Sequence, residues 1–445
     1  MDRKSNSQEK LMDQTYFRRR WLILMIFFCF LFLQQFDMLI VESIRQKAET
    51  FFNSAGTFSE IISFLLAFMI AISYLFWGIN FDRHSRRNLL VLASALWWAT
   101  SWLNSLAPTI ETFGISYLAG LMDFGSMTGI YSIVGDLFAP RTRGKVFGLL
   151  QAAQPIAYFL VLSYFQGFFI RANWRSYLLV SGVLGLTMAL IIYLFVREPK
   201  RGLREPALTG IRISGQYLFD WETARDIAEK SSFLILCGLS LFSVLPWMGF
   251  SLWTSALSHT DLGVIDESVY PVFFPMIVAL ILGNVLGGFL GDAIFIKKKR
   301  GRVMTNLFGF SLALLTCISA FVIGDLDKLL VRILISLTAL FIGMGRSNVF
   351  AMLFDITLPE VRATATSILF ISQLFGIGIG WVLVRAMEKT TGIWMIFFSL
   401  TLTSIIVNLL LSAGLFKRMP VEIENLRRHM AYRSQLEARL DSQNK

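Results

Sequence analysis

Charge is scarce in this sequence. Only 16% of its 445 residues are charged and 55% are hydrophobic, with a mean hydropathy of +0.61, whereas a soluble domain carries about a quarter charged residues. That scarcity excludes a soluble enzyme, a disordered chain and a collagen-like rod. Cysteine is scarcer still: Cys29, Cys237 and Cys317 all lie inside apolar runs, which leaves no disulfide framework and no Cys/His metal spacing. The three histidines, His84, His259 and His429, fall in expected loops or the tail, so no histidine relay carries protons through a membrane. No Gly-x4-Gly-Lys-Ser/Thr loop exists for ATP hydrolysis, and no compact nucleophile–base group suggests catalysis. No enzyme activity, cofactor or metal is expected.

What is abundant is apolar length. A spanning helix needs about 20 mostly apolar residues, and twelve such runs are present: 21–44, 57–81, 89–106, 113–137, 146–169, 177–196, 232–258, 269–295, 303–323, 331–354, 364–386 and 393–416. The expected organisation is a tail over 1–20, a six-helix bundle over 21–196, a polar linker over 197–230, a second bundle over 231–416 and a tail over 417–445. The first run is too long for a cleavable signal peptide and no small-residue cleavage site follows it, so it is expected to remain as the first helix. Within the linker, residues 219–230 can form a short amphipathic helix.

Lys and Arg are distributed unevenly. The loops and tails on the side of the amino terminus hold 32 of the 41, the opposite loops hold eight, and Arg346 alone lies well inside a span. The positive-inside bias therefore predicts a cell-membrane protein with both termini in the cytoplasm. It also accounts for the net charge of +11 through contact with anionic membrane lipids, with no nucleic-acid partner.

The two halves repeat. Asp136-x3-Pro140-x2-Arg143 recurs as Asp355-x3-Pro359-x2-Arg362 with an offset of 219, and Gly78-x3-Asp82 recurs as Gly288-x3-Asp292 with an offset of 210. Gln154 and Gln373 also correspond at 219. Two halves in the same orientation imply a pseudo-twofold axis along the membrane normal, a plan used by secondary transporters. The fold class is all-α and polytopic, with twelve helices in two pseudo-symmetric bundles.

The first of these loops carries a family resemblance. Gly78-Ile-Asn-Phe-Asp82-Arg83-His-Ser-Arg86-Arg87 resembles the helix 2–3 signature of the major facilitator superfamily, with Ser85 where the family usually has Gly. Asp37, Gly120-x2-Asp123 and Glu198-Pro-Lys-Arg-Gly202 resemble the Spinster-like branch, although Met38 and Ser116 stand where that branch commonly has Arg and Asp123 where it has Glu. The resemblance implies alternating access and an amphipathic, lipid-like small-molecule substrate. It further implies that Asp82 meets the amino end of helix eleven near Thr364, held by Arg86, with Gly78, Arg83, Arg87, Gly288 and Asp292 in the same gating apparatus. Asp136 with Arg143 and Asp355 with Arg362 are expected to form companion ion pairs.

Charges placed deep in a bilayer are costly and mark functional sites by default. By helical rise Asp37 lies about 24 Å, Asp123 about 20 Å and Arg346 about 14 Å from the cytoplasmic face. The two acids are the candidates for proton coupling. Arg346 has two open roles, substrate contact or helix packing. Gln34, Gln154 and Gln373, together with Gln35, Gln151, Asn284 and Asn348, line the cavity or bond helices together. Glu42 and Glu60 fall toward outer helix ends, where interfacial solvation suffices. Proton-coupled efflux of hydrophobic cations, uptake of a small organic solute, and a transporter-shaped sensor or scaffold are the alternatives.

Overall fold

The structure, a computed structural model, describes residues 2–52, 57–161, 173–208, 219–256, 270–324 and 329–443. The expected loop residue His259, and the side chains of Glu42 and Glu60, lie outside the described residues.

Sixteen α-helices build the described parts, and no strand occurs among them. The amino-terminal half comprises α1 (Asp2–Phe51), α2 (Thr57–Arg83), α3 (Arg86–Leu106), α4 (Ile110–Gly120), α5 (Ser126–Leu137), α6 (Arg143–Leu160) and α7 (Trp174–Phe195). The linker carries α8 (Trp221–Ala228). The second half comprises α9 (Ser231–Phe242), α10 (Leu245–Ala256), α11 (Tyr270–Lys297), α12 (Gly301–Ile323), α13 (Leu329–Arg346), α14 (Val349–Ile356), α15 (Arg362–Glu388) and α16 (Ile393–Gln443).

Ten helical stretches are long and apolar enough to cross a membrane; the crossings made by α4–α5 and by α6 bring the count to twelve. Among the described residues three crossings are broken, which the hydropathy pattern does not reveal. The fourth passes from α4 to α5 through a 3-10 turn at Leu121–Gly125, the seventh breaks between α9 and α10 just before Pro246, and the tenth breaks at Ser347–Asn348. A broken crossing frees backbone groups that must be satisfied inside the protein. The fourth does so through the second: Ser73 Oγ and Trp77 Nε1 each donate to the Met122 carbonyl at 2.5 Å, and Gly125 N–H donates to Ser73 Oγ at 3.0 Å. The last helix does not stop at the expected span end but runs on to Gln443. Its stripe Met419, Ile423, Leu426 and Met430 is buried in the main core, at the spacing of one helix face.

Each seam between the bundles is a helix pair, α2 with α15 and α6 with α11. Small residues make both seams possible, because a Cβ on Gly78 would strike Ser367 and one on Gly148 would strike the Asn284 backbone. Close backbone approach of this kind is how helices associate where lipid supplies no hydrophobic drive. Outside the bundles, Phe68, Leu75, Phe76, Leu190 and Phe289 are exposed, as lipid-facing side chains must be. The loops joining α2 to α3, α5 to α6 and α14 to α15 gather at one end with the linker. This is the end rich in Lys and Arg, hereafter the basic end.

Candidate functional site

At the basic end two carboxylates cap helices of the opposite half. Asp82, buried at the end of α2, accepts the N–H groups of Ala363 at 3.1 Å and Thr364 at 2.7 Å, where α15 begins. Asp292, near the end of α11, accepts those of Gly144 and Lys145 at 2.9 Å each, where α6 begins. The offsets hold: 82 plus 210 is 292, and 144 plus 219 is 363. An anion at a helix start satisfies orphan donors and faces the positive end of the dipole. The pair is one device used twice.

The ion pairs differ from the sequence expectation. Arg86 does not hold Asp82; it pairs with Asp136 at 2.5 Å and Glu198 at 3.3 Å and donates to the Pro199 carbonyl at 2.8 Å. Arg201 of the linker is the cation beside Asp82, at 3.5 Å. Nor do Asp136 and Asp355 pair with the arginines that follow them. Asp136 takes Arg362 from the other half at 2.7 Å, and Asp355 takes Arg302, which also reaches Asp292 at 2.8 Å. Arg143 instead meets linker residue Glu205 at 2.5 Å and the Gly135 carbonyl at 2.7 Å. Arg143 and Arg362 each open a helix just after a 3-10 turn, so the side chain is carried past the aspartate that precedes it in the chain.

All of these groups are buried except Glu198 and Arg201, which are partly so. Burial opposes ionisation of Glu205, yet the Arg143 and Arg362 guanidinium groups beside it hold its carboxyl down to about 2. Burial likewise works against Glu198, and the Ser85 hydroxyl, the Arg86 N–H and the Arg86 charge bring it below the ordinary carboxylate range. Arg83 and Arg87 lie off the seam. Arg83 stacks on Phe219 at 4.9 Å and Trp221 at 5.7 Å, and Arg87 on Tyr193 at 4.7 Å. Glu198, Arg201, Glu205 and Arg302 were missed as site residues by sequence reasoning. The Glu-Pro-Lys-Arg-Gly run was a signal for the first two.

Deeper in, the two acids have different surroundings. Asp37 accepts from Trp97 Nε1 at 3.1 Å, Tyr177 OH at 3.0 Å and the Ser181 hydroxyl. Its face of α1 is thus turned to α3 and α7 inside the amino-terminal bundle. Asp123, in the 3-10 turn of the fourth crossing, accepts from Gln34 Nε2 at 2.7 Å, and the same amide nitrogen reaches Ser126 Oγ at 3.3 Å. Asp123 Oδ1 and Gln34 Oε1 are buried with no hydrogen-bond donor.

Arg346 ends α13 at the break in the tenth crossing. It is half-buried, its Nε is buried without an acceptor, and among the described residues it forms no ion pair. Tyr131 of the other bundle is the group within its electrostatic reach. Tyr131 centres an aromatic cluster that crosses the seam, 4.5 Å from Phe350, 5.3 Å from Phe147 and 5.8 Å from Phe370 between ring centroids, with Tyr74 stacked on Phe370 at 5.1 Å.

The amides divide in the same way. Gln151 Nε2 bridges the seam to the freed Ser347 carbonyl at 3.3 Å, and Asn348 Nδ2 donates to the Gly287 carbonyl at 3.0 Å. Gln154 is exposed and Gln373 half-buried, and neither is bonded to another described side chain. A separate apolar cavity of about 70 Å³, walled by Trp247, Phe250, Met276, Cys317 and Phe397, lies within the carboxy-terminal bundle.

Comparison with known proteins matches the Major Facilitator Superfamily profile to residues 21–380. A cis,cis-muconate transport protein of Acinetobacter baylyi is 23% identical over 297 residues, 65% of this chain and 69% of that protein. Human protein spinster homolog 1 is 25% identical over 247 residues, 53% of this chain and 45% of its own length. The sphingosine-1-phosphate transporter SPNS2 of Xenopus tropicalis is 28% identical over 172 residues, 37% of this chain and 32% of its own. The chain thus spans less than half of either Spinster relative. Among solved structures, the Escherichia coli fucose:proton symporter FucP superposes with a TM-score of 0.65 at 13% identity over 90% of this chain and 98% of that one. The human organic anion transporter MFSD10 gives 0.63 at 14% over 88% and 99%. At such identities the likeness is one of fold.

Proposed function

The chain belongs to the Major Facilitator Superfamily, a multi-pass transporter family, and from that membership we propose that it is a secondary transporter of an amphipathic organic solute bearing an anionic or zwitterionic group. Arg346 carries the reading. A guanidinium half-buried at a helix break and left without an anion is a costly arrangement unless a ligand completes it, and its fork of donors suits carboxylate or phosphate. Tyr131, within reach of it, and the Phe350 and Phe370 rings packed on Tyr131 suit an apolar body. The names of two relatives, a muconate carrier and a sphingosine-1-phosphate carrier, point to acidic solutes as well.

Transport proceeds by rocking of the two bundles about this midplane site, with the basic end facing the cytoplasm of a cell-membrane protein. The capped helices and ion pairs of that end belong to the state closed on that side. Protons drive the cycle through Asp123. A proton on Oδ1 converts an acceptor without a donor into a donor, on a side chain whose other oxygen is bonded by Gln34. Asp37, enclosed by three donors in one bundle, acts as a structural anchor instead.

The test is flux in proteoliposomes under an imposed pH gradient, with a lysophospholipid, a dicarboxylate and a hydrophobic cation as candidates. Uptake of an anionic or zwitterionic member that Arg346→Gln abolishes is the expected result. Transport of the cation, unchanged in Arg346→Gln, would overturn the assignment.

A further inference from the structure

The cavity inside the carboxy-terminal bundle plays no part in the transport reading. Helices α10 to α13 and α16 enclose about 70 Å³ there, well above the roughly 10–15 Å³ that a water needs. A water must also find about two to four polar partners. The wall is largely aliphatic and aromatic, and its hydroxyls are those of Thr338 and Thr401.

These two hydroxyls are differently placed. Thr338 donates to the Leu334 carbonyl one turn back at 2.8 Å and lies 2.8 Å from the Thr316 hydroxyl, which is how a hydroxyl in an apolar helix is satisfied. Thr401 is 4% exposed, and its Oγ1 is buried with no hydrogen-bond partner among the described residues. Ser404, one turn further along the same face of α16, donates to the Phe242 carbonyl at 2.8 Å. That carbonyl lies four residues before Pro246, which has no N–H to offer it. One hydroxyl of this face thus repairs the broken seventh crossing, and the other is turned to the cavity without a bond.

Trp247 joins the cavity to the seam. It forms part of the wall, and its ring lies 4.4 Å from that of Tyr158, a residue of α6 that packs into the carboxy-terminal cluster.

We propose that this cavity is a second binding site, for a small neutral molecule with a short aliphatic body and one hydroxyl group, and that its occupant steadies Trp247 against Tyr158. At about half of the 150 Å³ that holds benzene, the space takes about three carbons. The ligand hydroxyl bonds Thr401 Oγ1, relieving a buried polar atom that is costly to leave unmade. A charged group is refused, because the wall carries no counter-charge. Arg346 is not part of the wall, whose nearest residue to it in the chain is Ile342, one turn before. The inference does not depend on the substrate reading.

The probe is 3-bromo-1-propanol, whose bromine quenches nearby tryptophan, titrated into purified protein in detergent and read within seconds, before any thiol is alkylated. Wild type should show a saturable component that Trp247→Phe removes. Ala320→Val, which adds two carbons to the wall, should abolish it, and Ala339→Val serves if that variant fails to fold. Thr401→Val should weaken the alcohol about tenfold without weakening 1-bromopropane. Because coupling is reciprocal, Tyr158→Leu, outside the wall, should weaken both probes several-fold, whereas Arg346→Gln should change neither. Quenching that never saturates, that persists in folded Ala320→Val or Ala339→Val, or that is lost with Arg346 would overturn the site. Alcohol affinity unchanged in Thr401→Val would overturn the hydroxyl assignment, and affinity unchanged in Tyr158→Leu the link to the seam.

Discussion

The basic end and the midplane of this molecule treat buried charge in opposite ways. At the basic end Arg86, Arg143, Arg302 and Arg362 each reach a carboxylate, and Asp82 and Asp292 each take two backbone donors. At the midplane Arg346 has no anion, and the Asp123–Gln34 pair has two oxygens without donors. Paired charges hold a conformation, because breaking any pair strands the partner in low dielectric. On the function proposed above, the paired region sets the state and the region around Arg346 takes the substrate.

The largest expected effect strains that division at the basic end. Arg86→Gln leaves Asp136 with one cation and removes the charge beside Glu198, and should lower stability by about 3 kcal/mol or more, read as a drop in melting temperature. Arg346→Gln should do the reverse, leaving the melting temperature nearly unchanged while weakening binding of an anionic ligand about 100-fold. Arg346→Lys should bind worse than wild type, most for a phosphate-bearing ligand. A large melting-temperature loss in Arg346→Lys with equal loss for charged and neutral ligands would make it a helix-packing residue and erase the contrast.

The two deep acids sharpen the comparison within one bundle. Asp123→Asn should abolish gradient-driven accumulation and spare exchange, whereas Asp37→Asn should cost stability through its Trp97, Tyr177 and Ser181 bonds and still concentrate solute. Accumulation that persists in Asp123→Asn removes it from the coupling role.

A smaller effect tests the symmetry of the seam. Asp82→Asn and Asp292→Asn each replace a charged helix cap by a neutral one, at a cost of about 1 kcal/mol. Both should raise several-fold the maleimide labelling of a Ser367→Cys variant, whose position is buried against Gly78 in the α2–α15 seam, and a response to Asp82→Asn alone would show that the repeated caps are not mechanically equivalent.

Acidity should act least. Glu205, facing Arg143 and Arg362 with Asp136 and Asp355 in the same network, titrates lower folded than unfolded, so the stability it contributes is complete above its ordinary value near 4.5 and lost as pH falls toward about 2. Between about pH 5 and 8 the melting temperature should show no contribution from it. A melting temperature that falls steeply across that range in the wild type but not in Glu205→Gln would mean that Glu205 is not held ionised by its arginines.

The sequence by itself determined the twelve crossings, the two halves and the correspondence of Asp82 with Asp292 and of Arg143 with Arg362. Each follows from local quantities: apolar length against bilayer thickness, and repetition of short motifs. It also marked Asp37, Asp123 and Arg346 as costly residues. It did not determine what they face, because a helix that is apolar on every side carries no 3.6-residue signal to orient it. Only the tertiary structure turned Asp37 into its own bundle, left Arg346 open, and gave Asp136 to Arg362 rather than to Arg143. Glu205 was the least legible of all, since nothing in a polar linker says that its carboxylate will be folded back between two arginines related by the repeat. That placement exists only once two distant arginines have been brought together, and long-range contacts of this kind are written in packing, not in local pattern.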